Sequence, residues 1–107
     1  MAENHGDLQL QPERKPDVPR STQEKEKLIN RLKRIEGQVR GLQKMVDEDR
    51  YCIDILIQLS AVQAALNKVG FSLIERHAKM CVTQAIKENR GDHYIDELLA
   101  AVQQFSK

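Results

Sequence analysis

The sequence lacks several features that mark common classes of protein. Its 107 residues include no tryptophan, only two tyrosines and two phenylalanines, and only two cysteines. No apolar run approaches the roughly 18 residues needed to cross a bilayer, and the N-terminus lacks the apolar stretch of a signal peptide. We therefore expect a soluble, cytoplasmic protein without a membrane partner, in which the cysteines stay reduced.

Motifs for catalysis are also lacking. The sequence has no Gly-rich phosphate-binding loop, no nucleophile elbow and no HExxH motif. Cys52 or Cys81 beside His77 would supply a thiolate–imidazole pair, but a helical chain of this size offers no obvious substrate pocket. We expect no enzymatic activity.

Proline is confined to the N-terminal end, where all three prolines lie between residues 12 and 19. The surrounding residues are polar and charged, a composition typical of disordered segments. We therefore divide the chain into a disordered arm, residues 1–20, and a helical domain, residues 21–107. His5 lies in the arm, where a lone histidine is usually exposed to solvent.

Apolar residues recur at helical spacing, and no strand pattern is present, so the expected fold class is all-α. The first helix begins after Ser21, which with Glu24 matches a capping box. Its apolar residues alternate steps of four and three, which is coiled-coil spacing. They are Leu28, Leu32, Ile35, Val39, Leu42 and Val46. We expect this helix to end near residues 47–50.

A central helix covers the stretch from Tyr51 to Cys81 and continues beyond it. It is apolar nearly all round, which is typical of a buried helix. Residues 89–91 are expected to end it, with Gly91 as a left-handed cap, and Asp92 is expected to cap a third helix. The apolar face of the third helix comprises Ile95, Leu98, Leu99, Val102 and Phe105.

The two cysteines lie at opposite ends of the central helix, with His77 one turn before Cys81. In a continuous helix, Cys52 would be roughly 37 Å from His77, at about 1.5 Å of rise per residue. Two copies packed antiparallel would instead place Cys52 of one beside His77 and Cys81 of the other, at two symmetry-related sites. They would cross near Ala65, where small residues allow close approach. The sequence therefore predicts a dimer with metal sites between its subunits.

Two thiolates and one imidazole form a soft donor set, which favours ions such as Cu(I) and Zn(II). Three ligands suit three-coordinate Cu(I) better than structural Zn(II), which usually takes four protein ligands. The alternative interpretation is a core histidine with two buried cysteines. Formation of an interchain disulfide would instead indicate a thiol redox sensor.

Positive charge is concentrated on the first helix. Between Lys25 and Lys44 lie seven basic and two acidic residues, a net charge of +5. Such a patch can neutralise phosphates and bind DNA, although charged residues also line ordinary solvated helix faces.

Two segments, RLKRIEGQVRGL at 31–42 and YCIDILIQLSAVQAAL at 51–66, precede the spaced His77 and Cys81. Together they resemble the copper-sensitive operon repressor (CsoR) family over nearly all of residues 21–105. The resemblance implies helical repressors that dimerise through antiparallel packing and assemble into a homotetramer. It also implies that the metal-free protein binds double-stranded promoter DNA and that Cu(I) releases it, which derepresses copper efflux genes.

The resemblance also implies roles for single residues. Cys52 of one subunit would bind Cu(I) together with His77 and Cys81 of the other. Tyr51 and Glu97 would link the ligand histidine to the third helix. The candidate DNA-binding residues are Arg31 and Lys68, which match basic positions of the family, together with Lys33, Arg34 and Arg40 of the first-helix patch.

Relatives in this family respond to other signals. Nickel and cobalt sensors have histidine where Cys81 stands and use a histidine near the start of the chain. Persulfide sensors lack the histidine at position 77, and formaldehyde sensors lack the second cysteine. The complete donor set favours copper, while His5 leaves mixed metal specificity open. A copper-buffering protein that binds no DNA is the alternative function.

Overall fold

The computed structural model describes residues 14–16, 18–88 and 91–106, without the side chains at positions 85, 88, 91, 92 and 94. The predicted arm therefore lies outside the described residues up to position 13 and at position 17. His5, Asn89 and Arg90 also lie outside them.

Three helices make up the described chain. They are α1, Thr22–Asp47; α2, Cys52–Glu88; and α3, Gly91–Phe105. No strand occurs within the described ranges. The predicted all-α, three-helix chain is confirmed, as is the continuation of the central helix past Cys81.

A capping box begins α1, as predicted. The backbone N–H of Glu24 donates to the Ser21 hydroxyl over 3.1 Å, and the backbone N–H of Ser21 donates to the Glu24 carboxylate over 2.9 Å. Two donors that have no partner inside the helix are satisfied in this way. The cap fixes where α1 begins.

A left-handed residue follows the last turn of α1. The helix ends at Asp47, inside the predicted range, and Asp49 has φ of 54°. The backbone N–H of Arg50 donates to the carbonyl oxygen of Met45 over 2.9 Å. These features form the C-terminal motif that glycine usually provides, here with an aspartate in the left-handed position.

The chain divides into two compact units, one of which is Arg20–Phe71. In this unit Ile35 of α1 packs with Val62 and Val69 of α2, and all three are buried. Full burial of an aliphatic side chain contributes about 1.5–3 kcal/mol. This small cluster therefore holds α1 against the first part of α2.

The apolar stripe of α1 is split between the core and the surface. Ile35 is buried, and Leu28 and Leu42, each seven residues from it, are half-buried against the same cluster. The alternate members of the stripe are exposed: Leu32, Val39 and Val46. One edge of the coiled-coil seam thus packs within the chain, and the other edge remains on its surface.

Most of the apolar surface of α2 is exposed in a single chain. Ile57 and Phe71 are 60% and 58% exposed, whereas the buried residues among its described side chains are Val62, Val69 and Cys81. The prediction of a buried central helix is wrong for one chain alone. The reason is that α1 covers only one side of it.

By length and composition, the segment of α2 from Cys52 to Gln84 is apolar enough to cross a membrane. Core helices of soluble proteins meet the same criteria, so the finding does not by itself identify a membrane span. The segment also carries five charged side chains, which are costly inside a bilayer. They are Asp54, Lys68, Glu75, Arg76 and Lys79.

The connection after α2 differs from the prediction. Because α3 begins at Gly91, that residue starts the third helix rather than capping the second. Asp92 therefore lies in the first turn of α3 and is not its cap. A carboxylate in a first turn is favoured by the positive end of the helix dipole, so the same residue type suits both positions.

Candidate metal centre and nucleic-acid interface

Cys52 is the first residue of α2 and is exposed. The carbonyl oxygen of Tyr51 accepts hydrogen bonds from the backbone N–H groups of Asp54 at 3.0 Å and Ile55 at 3.2 Å. The side chain of Tyr51 is exposed as well. The helix start therefore holds the thiol in an accessible position.

Cys81 has the opposite environment. It is 3% exposed, and no disulfide joins it to Cys52, although both cysteines lie in the described part of α2. Burial raises the pKa of its thiol, and the negative charge of Glu97 raises that pKa further. Since metals bind the thiolate, binding at Cys81 must displace a proton.

His77 lies one helical turn before Cys81, and its side chain is exposed. Residues four apart on a helix share a face. The structure therefore confirms the helical context of the predicted donor pair. Within the described residues of this one chain, no three His, Cys, Asp or Glu side chains form a group that could hold a metal.

Glu97 of α3 has a partner that the sequence did not indicate. Arg14 Nη1 donates to Glu97 Oε2 over 3.0 Å, and the glutamate side chain is 29% exposed. The predicted partner was the ring of His77. Spacing gave no signal for the Arg14 contact because 83 positions separate the two residues.

Arg76 makes a second contact with the residues that precede α1. Its Nη2 donates to the carbonyl oxygens of Val18 at 3.1 Å and Pro19 at 3.2 Å. Sequence reasoning missed this arginine, which directly precedes His77. The prolines around the acceptors were the available signal, since proline restricts φ and leaves its carbonyl oxygen able to accept.

The candidate DNA-binding residues all lie in the Arg20–Phe71 unit. Their side chains are exposed: Arg31, Lys33, Arg34, Arg40 and Lys68. Arg40 lies 3.9 Å from the carboxylate of Glu36. An exposed pair at this distance contributes about 0–1 kcal/mol, so it leaves the arginine available to a phosphate.

Residues 24–104 match the family described as metal-sensitive transcriptional repressor. This chain belongs to that family. It is 56% identical over 88 residues to the copper-sensing transcriptional repressor CsoR of Bacillus subtilis, a match that spans 82% of this chain and 87% of that protein. The resemblance identified from the sequence motifs is therefore confirmed.

Two solved structures are similar to this chain. The crystal structure of the copper-sensing repressor CsoR with Cu(I) from Geobacillus thermodenitrificans matches with a TM-score of 0.78 and 57% identity, covering 84% of this chain and 94% of that one. The nickel-responsive transcriptional regulator InrS matches with a TM-score of 0.70 and 41% identity, covering 80% and 93%. Membership in a family of transcriptional repressors implies a regulator that binds DNA as an oligomer, not an enzyme.

Proposed function

We propose that this protein is a Cu(I)-responsive repressor that binds promoter DNA when metal-free and releases it when Cu(I) binds, which derepresses copper efflux genes. One observation carries the proposal: 57% identity to a solved copper-sensing repressor with Cu(I), with TM-score 0.78. A repressor that binds promoter DNA would act in the cytoplasm.

The donor set supports copper. Cys52, His77 and Cys81 supply two thiols and an imidazole, and soft donors of this kind suit Cu(I). When bound, Cu(I) joins these donors in one coordination sphere. The family resemblance implies that a complete Cys, His, Cys set favours copper.

Each site takes its donors from two subunits in this proposal. The described part of one chain brings no three candidate donors together, and the proposal takes the third donor from a second chain. Antiparallel packing of two α2 helices would bring Cys52 of one subunit beside His77 and Cys81 of the other. The exposed apolar residues of α2, such as Ile57, support such a partner, because water contact with large apolar areas is unfavourable.

A tetramer would cover the remaining apolar surface. Leu32, Val39 and Val46 of α1 are exposed along one edge of a coiled-coil seam. Coiled-coil seams pack against a partner helix. A second dimer seated on this edge is consistent with the homotetramer that the resemblance implies.

The exposed basic side chains of α1, with Lys68 of α2, would bind the phosphates of double-stranded DNA. Their density supports this role, since the stretch from Lys25 to Lys44 has a net charge of +5. Phosphate contacts of this kind supply much of the affinity for DNA and make that affinity depend on salt concentration. They do not identify the operator sequence.

His77 and Glu97 would transmit metal binding to α3. One ring nitrogen of His77 would hold the metal, and the other would donate to a carboxylate, as ligand histidines commonly do. Glu97 is the proposed acceptor, with Tyr51 beside it. The influence of Glu97 on the pKa of the Cys81 thiol supports a position for this carboxylate close to the donor pair.

The test is an anaerobic DNA-binding titration with and without Cu(I), using duplexes that the metal-free protein selects from a random library. The wild type should bind tightly and dissociate on addition of Cu(I). Variants C52A, H77A and C81A should bind DNA equally well but fail to release it, because they lose metal ligands and keep the basic side chains.

Each other outcome points to a different function. Tight Cu(I) binding without DNA binding would show a copper-buffering protein. Release by an oxidant but not by Cu(I) would show a thiol redox sensor. Release by Ni(II) with no response to Cu(I) would place the protein with the nickel-responsive relatives.

A further inference from the structure

Three hydrogen bonds join the residues before α1 to α2, which carries the candidate donors, and to α3. Arg14 reaches Glu97 at 3.0 Å, and Arg76 reaches the carbonyl oxygens of Val18 at 3.1 Å and Pro19 at 3.2 Å. We call the described residues of this segment, 14–16 and 18–19, the strap. All three bonds lie within one compact unit of the chain.

The anchor points of the strap are close in sequence or space to the candidate donors. Arg76 directly precedes His77, and the charge of Glu97 acts on Cys81. Pro16 and Pro19 have restricted φ angles, which reduces the entropy lost when the strap becomes ordered. A few polar bonds can therefore hold a segment that buries little apolar surface.

In this proposal, Arg14 and His77 are alternative hydrogen-bond donors to the carboxylate of Glu97. The proposed function requires the His77 ring to donate to this carboxylate when metal is bound, yet the structure pairs the carboxylate with a guanidinium. A carboxylate whose charge is already neutralised by an arginine is a weaker acceptor for an additional donor. The Arg14 bond therefore favours the state in which the His77–Glu97 link is not made.

We propose that the strap competes with His77 for Glu97, so that Arg14 raises the concentration of Cu(I) required to release DNA. This inference rests on the proposed function, because it assumes that Glu97 couples metal binding to DNA release. A group that stabilises one of two states shifts the equilibrium between them by its differential interaction energy. The side chain of Arg14 is 57% exposed, so the shift should be about two- to fivefold, the range for an exposed ion pair.

The first measurement concerns the contact itself and needs no copper. Trypsin cleaves after Arg14, and its docked side chain should slow that cleavage in the metal-free full-length protein. Glu97→Gln removes the carboxylate charge and should accelerate cleavage at this bond. Asp96→Asn, a neighbouring exposed carboxylate on α3, is the matched control and should cleave like the wild type.

The second measurement is the Cu(I) concentration at half-release of DNA, set with a competing chelator. Arg14→Gln should lower this midpoint by about two- to fivefold, whereas Lys15→Gln, the adjacent exposed cation, should leave it unchanged.

The outcomes separate this inference from the proposed function. Equal trypsin cleavage in the wild type and Glu97→Gln would overturn the strap, as would an unchanged or raised midpoint in Arg14→Gln. If the wild type does not respond to Cu(I), the proposed function fails and the competition fails with it. The Arg14–Glu97 contact would still be established by the proteolysis result.

Discussion

The two compact units of this chain carry different chemistry. The Arg20–Phe71 unit contains ten basic and seven acidic residues, whereas the other unit, residues 1–19 and 72–107, contains seven basic and nine acidic residues. Every candidate DNA-binding residue belongs to the first unit, and His77, Cys81 and Glu97 belong to the second. The proposed metal response would therefore pass from a slightly acidic unit of the chain to a basic one.

The units also differ in what they bury. The first has an aliphatic cluster of Ile35, Val62 and Val69, while the buried hydrophobic residue among the described part of the second is Cys81. In the first unit, the buried side chains and the candidate DNA-binding side chains are different residues. In the second, a side chain that contributes to packing is also a candidate metal ligand.

The largest expected effect tests whether both units contribute to one metal site. Chains with C52A are mixed with chains carrying H77A and C81A, and the heterodimers are isolated with two affinity tags. In the antiparallel arrangement, one site of each heterodimer keeps all three donors and the other keeps none. Titration of Cu(I) against a competing chelator should therefore find one tight site per heterodimer, with neither parent homodimer showing any.

The contrary result is equally clear. If isolated heterodimers bind no Cu(I) tightly, the three donors do not come from two chains in the proposed way. The wild-type homodimer, titrated under the same conditions, provides the reference of two sites.

The next largest effect concerns DNA binding and tests the difference in charge between the two units. Arg31→Ala or Lys68→Ala should weaken DNA binding broadly across sequences and reduce the slope of log K against log salt by about one unit for each lost phosphate contact. Lys79→Ala removes an exposed cation from the second unit and should leave the slope unchanged. Fluorescence anisotropy at several salt concentrations measures all three.

Equal slope changes for Lys79 and Arg31 would mean that DNA contacts extend into the second unit. No change for Arg31 and Lys68 would move the interface to other residues of the α1 patch. Only the first result would contradict the assignment of DNA binding to the Arg20–Phe71 unit.

A smaller effect follows from the burial of Cys81. Replacing it by alanine should destabilise the metal-free protein by about 1 kcal/mol, a usual cost for losing a packed side chain, whereas Cys52→Ala should cost close to nothing because that thiol is exposed. Urea unfolding at a fixed protein concentration measures the difference. Equal destabilisation would show that Cys52 is packed as tightly in the assembled protein as Cys81 is within its own chain.

The reactivity of the same thiol gives an independent measurement. Because burial and Glu97 raise the pKa of Cys81, less thiolate is present at any given pH in the folded chain than in the unfolded chain. The pH profile of Cys81 alkylation should therefore lie at higher pH in native protein than in urea. A profile at lower pH would mean that another group stabilises the thiolate.

Much of the fold follows from local sequence signals. The Ser21 capping box and the apolar spacing of α1 are determined by nearby residues, and both were predicted. The start of α3 was not, because Gly91 and Asp92 suit either a cap or a first turn and no local signal distinguishes them. The exposure of Ile57 was also missed, since periodicity identifies an apolar face without saying which chain covers it.

Residue type and helical spacing were enough to predict the candidate donors, including His77 and Cys81. Their surroundings were not. The contact of Arg14 with Glu97 joins residues 83 positions apart, and an exposed ion pair leaves no periodic pattern in sequence. Contacts of this kind depend on how the chain folds back, which single-sequence reasoning does not determine.

The smallest expected effect concerns the turn that connects α1 to α2 in the basic unit. Asp49 has φ of 54°, a left-handed conformation that glycine adopts without the steric cost paid by residues with a Cβ. Asp49→Gly should therefore stabilise the protein by about 0.5–1 kcal/mol, partly offset by the greater freedom of glycine in the unfolded chain. Gln38→Gly, inside the exposed face of α1, is the control and should destabilise by about 0.5 kcal/mol or more.

Because this turn carries neither a donor nor a candidate DNA contact, the Cu(I) midpoint for DNA release should stay at the wild-type value in Asp49→Gly. A shifted midpoint would mean that the α1–α2 turn itself changes with metal binding, and the separation of stability from sensing in this unit would be lost.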